Sequence, residues 1–199
     1  MQIAADANVE ALEGGAHGEH QDLRFFGLVI FLLSEGMIFV GLFAAYIIYR
    51  LLSPAWPPEG TEELEVLLPG INTVILVSSS FVIHQADLAI KRDDIKGVRL
   101  WFGLTALMGA IFLAGQVYEY MNLEFGLTTN RFASSFFLMT GFHGLHVTVG
   151  VLLILGVLFV ARKPESFSSD RHFGIEAASI YWHFVDVIWI VLFLLLYIW

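Results

Sequence analysis

The sequence predicts an all-α protein, a polytopic membrane helix bundle with five transmembrane helices. Composition, segment length and punctuation carry that prediction. Of the 199 residues, 57% are hydrophobic and 15% are charged, against about 45–50% apolar and about 25% charged in soluble domains. Mean hydropathy is +0.74. A helix crosses the hydrocarbon core with about 20 predominantly apolar residues, and five stretches of that kind occur, separated by polar breaks. That length leaves room for several spans but not for a large soluble domain besides.

Residues 1–23 are polar and acidic and lack the basic start and apolar core of a secretory leader. They are expected to form a disordered acidic cytoplasmic tail. The membrane domain follows over residues 24–199. Its spans are expected at 24–52, 68–90, 97–121, 131–161 and 174–199. SPAWPPEGTEELE, rich in Pro and Glu, separates the first two. The charge runs KRDDIKGVR and RKPESFSSDR mark the breaks after the second and fourth. No internal repeat of the kind that builds many transporters is present.

With five spans, the tail and the second and fourth connectors share one membrane face. That face holds Arg24, Lys91, Arg92, Lys96, Arg99, Arg162, Lys163 and Arg171, and the other holds Arg50 and Arg131. Basic residues favour the cytoplasmic side, so the N-terminus is expected in the cytoplasm. The C-terminus, with Tyr197 and Trp199, is expected at the outer interface, a zone that favours aromatic rings. The net charge of −9 excludes the basic footprint of a nucleic-acid-binding protein. The chain has no cysteine, which excludes disulfides, thiol catalysis, iron–sulfur clusters and zinc–thiolate sites.

Ionisable residues at membrane depth are costly and turn toward protein or water. Glu35 lies eleven residues past Arg24, about 16 Å along the helix and near mid-membrane. It reads either as a proton-exchanging or lipid-contacting acid, or as a neutral carboxyl bonded to a neighbouring helix. The second span ends on His84, Gln85 and Asp87, and the third carries Gln116 and Glu119. The fourth carries His143 and His146, three apart and so on one helix face. Two such histidines suit a metal or haem only with further ligands, and His183 is the nearest other candidate. Hydrogen bonding to neighbouring helices is the preferred reading, supported by Gly141, Gly144 and Gly150, since small residues allow close helix approach.

In the last span Glu176 precedes the i,i+3 pair His183 and Asp186, which reads as a structural clamp before a proton relay. Ser78, Ser79 and Ser80 read as small residues at a helix contact. The tail motif HGEH, with His17, Glu19 and His20, is a weak surface metal candidate. Arg162, Lys163 and Arg171 satisfy the orientation rule and are candidates for holding lipid phosphate.

Four motifs carry a resemblance: SEGMIFVGLFAAY (34–46), QVYEY (116–120), FFLMTGFHGLHVTVG (136–150) and RHFGIEAASIYWHFVDVIW (171–189). From about Leu23 to Trp199 the chain resembles subunit III of haem–copper cytochrome c oxidases, in the bacterial five-helix form. The resemblance implies a subunit with no redox cofactor of its own, packed on a catalytic subunit I that bears the haems and a copper site, with subunit II in the same complex. That complex passes electrons from cytochrome c to dioxygen and pumps protons. Subunit III is then expected to stabilise subunit I, to support proton uptake and to bind structural phospholipid. Glu35 matches the family's buried glutamate, and His143, His146, Glu176, His183 and Asp186 match family positions. The longer family form has two further helices ahead of the first span here, so one wall of its lipid cleft would come from another chain. The family's lipid-contacting arginine corresponds only approximately to Arg162.

A quinol oxidase subunit III or a nitric-oxide-reductase accessory subunit is a related alternative, and Glu35 favours the cytochrome c type. An independent transporter, a proton channel and a haem-binding anchor are unrelated ones. The expected location is the bacterial plasma membrane, or the thylakoid if the source is cyanobacterial.

Overall fold

The computed structural model describes residues 2–58, 61, 64–163, 167–168 and 171–199, with side chains described from Leu23 onward. Five α-helices follow one another: α1 (Gln2–Leu52), α2 (Leu67–Ile90), α3 (Ile95–Asn122), α4 (Arg131–Val160) and α5 (Phe173–Phe193). A π-helical turn (Leu194–Ile198) continues α5. The described residues form no β-strand, only an isolated bridge between Ser168 and Arg171. Each helix contains a segment long and apolar enough to cross a membrane: Leu23–Leu52, Leu67–Ile90, Ile95–Asn122, Arg131–Val160 and Phe173–Ile198. These match the expected spans to within two residues.

The chain divides into two units, Met1–Glu35 and Gly36–Trp199. In the first, the backbone is helical from Gln2, where the sequence leads one to expect a tail without regular structure. AADANVEALE is rich in helix formers, and a helix that is already nucleated extends cheaply. Leu23, Phe26 and Leu33 in this unit are exposed. The HGEH side chains lie outside the described residues.

In the second unit α2 packs along α3, α3 along α4, α4 along α5, and α5 back on α2. The Gly36–Leu52 part of α1 joins them through Phe39 and Tyr46, both buried. Phe39 meets the His146 ring at 5.0 Å. Helix starts follow from capping chemistry. The Asp94 carboxylate accepts from Gly97 N at 2.9 Å to start α3, and the Asn130 side chain accepts from Ala133 N at 2.9 Å to start α4. Between α2 and α3, Asp93 takes φ 54°, a left-handed conformation that Asp tolerates better than most residues.

Trp182 of α5 is fully buried where four helices meet. Its indole lies against Gly109 of α3 and Gly150 of α4, where an added Cβ would come within 2.5 Å and 2.9 Å of the ring. Its Nε1 donates to Ser79 of α2 at 2.8 Å. Of the three glycines expected to bring helices close, only Gly150 does so this tightly. A Cβ at Gly141 or Gly144 would have its nearest neighbour 3.9–4.0 Å away.

Candidate functional site: polar contacts between the spans

The polar side chains expected within the spans gather mostly at two helix contacts. The first is the antiparallel α2–α5 seam. Thr73 donates to the Pro69 carbonyl at 2.7 Å, and its oxygen accepts from Trp189 Nε1 at 2.9 Å. Ser79 does the same, donating to Leu76 O at 2.6 Å while accepting from Trp182. A hydroxyl has one proton and two lone pairs, so each satisfies its own helix and still receives an indole from α5.

Farther along the seam, Ser80 donates to Asp186 Oδ2 and lies 3.1 Å from His183 Nδ1. With its proton on Asp186, Ser80 accepts from that nitrogen. The seam ends with Ser179, which donates to Asp87 Oδ2 at 2.7 Å. Asp87 is also 4.0 Å from Nδ1 of His84, whose side chain is exposed. His183 and Asp186 therefore meet through a serine of the facing helix. The clamp read from their i,i+3 spacing works between helices. Asp186 is buried, and its other oxygen has no hydrogen-bond partner among the described residues.

The second contact lies near the opposite end of the spans. Glu119 of α3 is buried and accepts from Tyr197 at 2.8 Å and from Gln116 Nε2 at 2.9 Å. Tyr197 thus turns its hydroxyl into the bundle. The π turn ends here, with Trp199 N donating to Leu194 O at 2.9 Å. Nearby, the hydroxyls of Tyr120 and Thr140 are 2.6 Å apart. Thr140 donates to Phe136 O at 2.7 Å, so Tyr120 is the donor between them.

The two histidines of the GFHGLHV motif do not converge on a common ligand position. His143 is fully buried, stacked on Trp189 at 4.9 Å and edge-on to Phe112 at 5.7 Å. Neither of its ring nitrogens has a hydrogen-bond partner among the described residues. Aromatic packing holds this ring, not the hydrogen bonds expected of it. His146 turns toward Phe39, and its Nδ1 lies 2.7 Å from Phe142 O. Among the described residues no three His, Cys, Asp or Glu side chains gather as a metal site would require.

Glu35 lies half-buried on α1, within the apolar span. Glu176 sits half-buried in the first turn of α5, where the helix dipole favours an acid. At the end of the spans that carries the charged α2–α3 turn, Arg99 donates through Nε and Nη2 to the Ala161 carbonyl, closing the C-terminus of α4. Arg162, Lys163 and Arg171 are exposed at that end, with Arg162 5.2 Å over the Phe159 ring. At the other end Arg50 donates to the Trp199 main-chain oxygen and lies 4.3 Å over its indole. Arg131 lies 6.0 Å over the Tyr49 ring. The two basic residues assigned to the outer face thus share one end of this unit.

The sequence reading undervalued the hydroxyls. Thr73, Ser79, Ser80 and Ser179 carry most of the α2–α5 bonds. Their signal was their placement at successive levels of one antiparallel seam, opposite the Trp, His and Asp of α5.

Comparison with known proteins shows what the chain is similar to. The family profile described as Cytochrome c oxidase subunit III matches residues 2–199. The Cytochrome c oxidase subunit 3 of Synechocystis sp. is 61% identical over 198 residues, covering 98% of this chain and 85% of that protein. That of Thermostichus vulcanus is 59% identical over 198 residues, covering 100% and 98%. The African elephant protein of the same name (Loxodonta africana) is 36% identical over 198 residues, covering 94% of this chain and 75% of its own length. With the family profile matching along its length and these relatives 36–61% identical, the chain belongs to the cytochrome c oxidase subunit III family.

Proposed function

We propose that this chain is the non-redox accessory subunit of a respiratory terminal oxidase that passes electrons from cytochrome c to dioxygen and pumps protons. The observation that carries the reading is similarity along the whole chain to proteins named as subunit 3 of cytochrome c oxidase. Those names favour a cytochrome c enzyme over a quinol oxidase. In this reading the haems and copper belong to partner subunits I and II. This chain stabilises subunit I and shapes the lipid and proton environment beside it.

The contacts suit that role. Thr73, Ser80 and Tyr197 tie helix to helix, which makes a firm support rather than an aqueous path. Glu35, in the span that packs least within this chain, is the acid we assign to the proton or lipid environment. The basic end with Arg162, Lys163 and Arg171 faces the cytoplasm, with the N-terminus on the same side, and its side chains are the candidates for lipid phosphate. The membrane is the plasma membrane or, given relatives such as the Synechocystis protein, the thylakoid.

The test is purification of the tagged chain in mild detergent. A haem-bearing partner with an oxidase spectrum should come with it, and the separated chain should show no Soret band. Ion flux from the separated chain in liposomes, with no haem protein associated in the cell, would replace this reading with a transporter.

A further inference from the structure

The part of α1 over residues 36–52 is attached to the bundle differently from the other helices. α2, α3, α4 and α5 lie backbone against backbone in a ring, and among the described residues no helix packs so closely along α1. A cavity of about 510 Å³ stands between α1 and the start of α4, with Leu42 and Ala45 on one wall and Leu138 and Met139 on the other. Side chains bridge the distance. Phe39 meets the His146 ring at 5.0 Å. Two helical turns on, Tyr46 is buried, and the ring packed on it comes from the connector that follows α1, not from a helix.

That ring is Trp56. It stands edge-on to Tyr46 of α1 at 5.5 Å and to Phe132 of α4 at 5.6 Å. Its Nε1 donates to the Tyr46 hydroxyl at 3.1 Å. Five residues later, Thr61 accepts from the Asn130 amide at 2.8 Å. The Asn130 side-chain oxygen meanwhile caps α4 by accepting from Ala133 N. One residue therefore starts α4 and ties down the connector. Connecting segments ordinarily run loosely over the surface. This one places a ring between buried Tyr46 and buried Phe132, on two helices whose backbones stay apart. The other ties at this end of α1 are weaker. Arg50 donates to the Trp199 main-chain oxygen in an exposed contact, and Arg131 lies 6.0 Å over the Tyr49 ring.

We propose that the α1–α2 connector is a strap, with Trp56 as its latch, that holds the C-terminal end of α1 at a set distance from α4. Unlatched, that end of α1 moves away from α4 and widens the gap, while α2–α5 keep their packing. The device rests on contacts within this chain and does not depend on the redox partner.

The test uses the purified complex containing this chain. The chain has no cysteine, so Leu42→Cys combined with Leu138→Cys puts its two thiols on facing walls of the cavity. Thiol cross-linkers of graded length are applied, and links within the chain are mapped by mass spectrometry of its peptides. Leu113→Cys combined with Gly144→Cys is the control for α3 and α4, since an added Cβ at Gly144 lies 4.0 Å from Leu113. Trp56→Ala should lower the yield of the shortest cross-link across the cavity about tenfold, the equilibrium effect of losing two edge-to-face ring pairs. It should also shift the best-fitting linker to greater length and leave the control pair unchanged. Trp56→Phe keeps a ring, and Asn130→Asp keeps the α4 cap but loses the amide donor. Each should lower the yield less, so the proposal stays testable if Trp56→Ala assembles poorly. Unchanged yield and linker length in these variants overturns it. So does an equal fall in the control pair, because the whole bundle and not α1 would then have loosened.

Discussion

Gly109→Ala is the sharpest probe of how this unit packs. The new methyl would lie 2.5 Å from Trp182 Cη2 and 2.9 Å from Val151 Cγ2. The indole has little room to retreat, because Gly150 of α4 lies against its Cε3 and Cζ3 and Ser79 holds its nitrogen. Overpacking of this kind costs about 1–3 kcal/mol. Displacing the ring from Ser79 costs about 1 kcal/mol more, while Ala gains about 1 kcal/mol over Gly in a helix. The net loss is about 2 kcal/mol, which shifts the folding equilibrium up to about 30-fold. The assay is denaturant-induced unfolding of the subunit within the purified complex, for the wild type, Gly109→Ala, Trp182→Phe and the double variant. Removing the indole's larger ring should relieve much of the Gly109→Ala penalty, so the two changes should not be additive. A variant as stable as the wild type, or the same penalty with and without Trp182, would refute the reasoning.

Three further outcomes are expected. Ser80→Ala should cost about 1–3 kcal/mol, more than loss of an exposed serine, because it leaves a buried Asp186 without its one described donor; Ser80→Thr should restore part of it, and equal stability of Ser80→Ala and wild type in the same unfolding assay would rule this out. Tyr197→Phe removes one of two donors to buried Glu119. It should cost about 1–3 kcal/mol, and less in a Glu119→Gln background; an undiminished penalty there would show that Tyr197 acts through packing alone. Oxidase freed of this subunit should start turnover at a normal rate and inactivate sooner; an unchanged turnover lifetime would count against the supporting role.

The spans were legible because lipid and water impose opposite compositions. Each break carries charge or proline, and so the ends of α2 and α4 fall within one residue of expectation. Some of the polar residues in the spans turn inward, as Glu119 and Asp186 do, while His84 is exposed. Their partners were not legible. The 3.6-residue period places His183 and Asp186 on one face of α5, but only tertiary packing brings Ser80 to both. His143 shows the limit differently. Its neighbours Phe112 and Trp189 come from other helices, and nothing local to GFHGLHV announces an aromatic box. The partner of Tyr197 was not legible, because its engagement of a carboxylate on α3 depends on long-range geometry.

The serine and threonine pegs of α2 run from Thr73 to Ser80, with Asp87 completing the row. That is fourteen residues, or about 21 Å of a hydrocarbon layer about 30 Å thick. Sliding α5 by one helical turn would unseat every peg at once. The pair is therefore keyed against axial creep, and a push applied at one membrane surface would arrive at the other as displacement of both helices together.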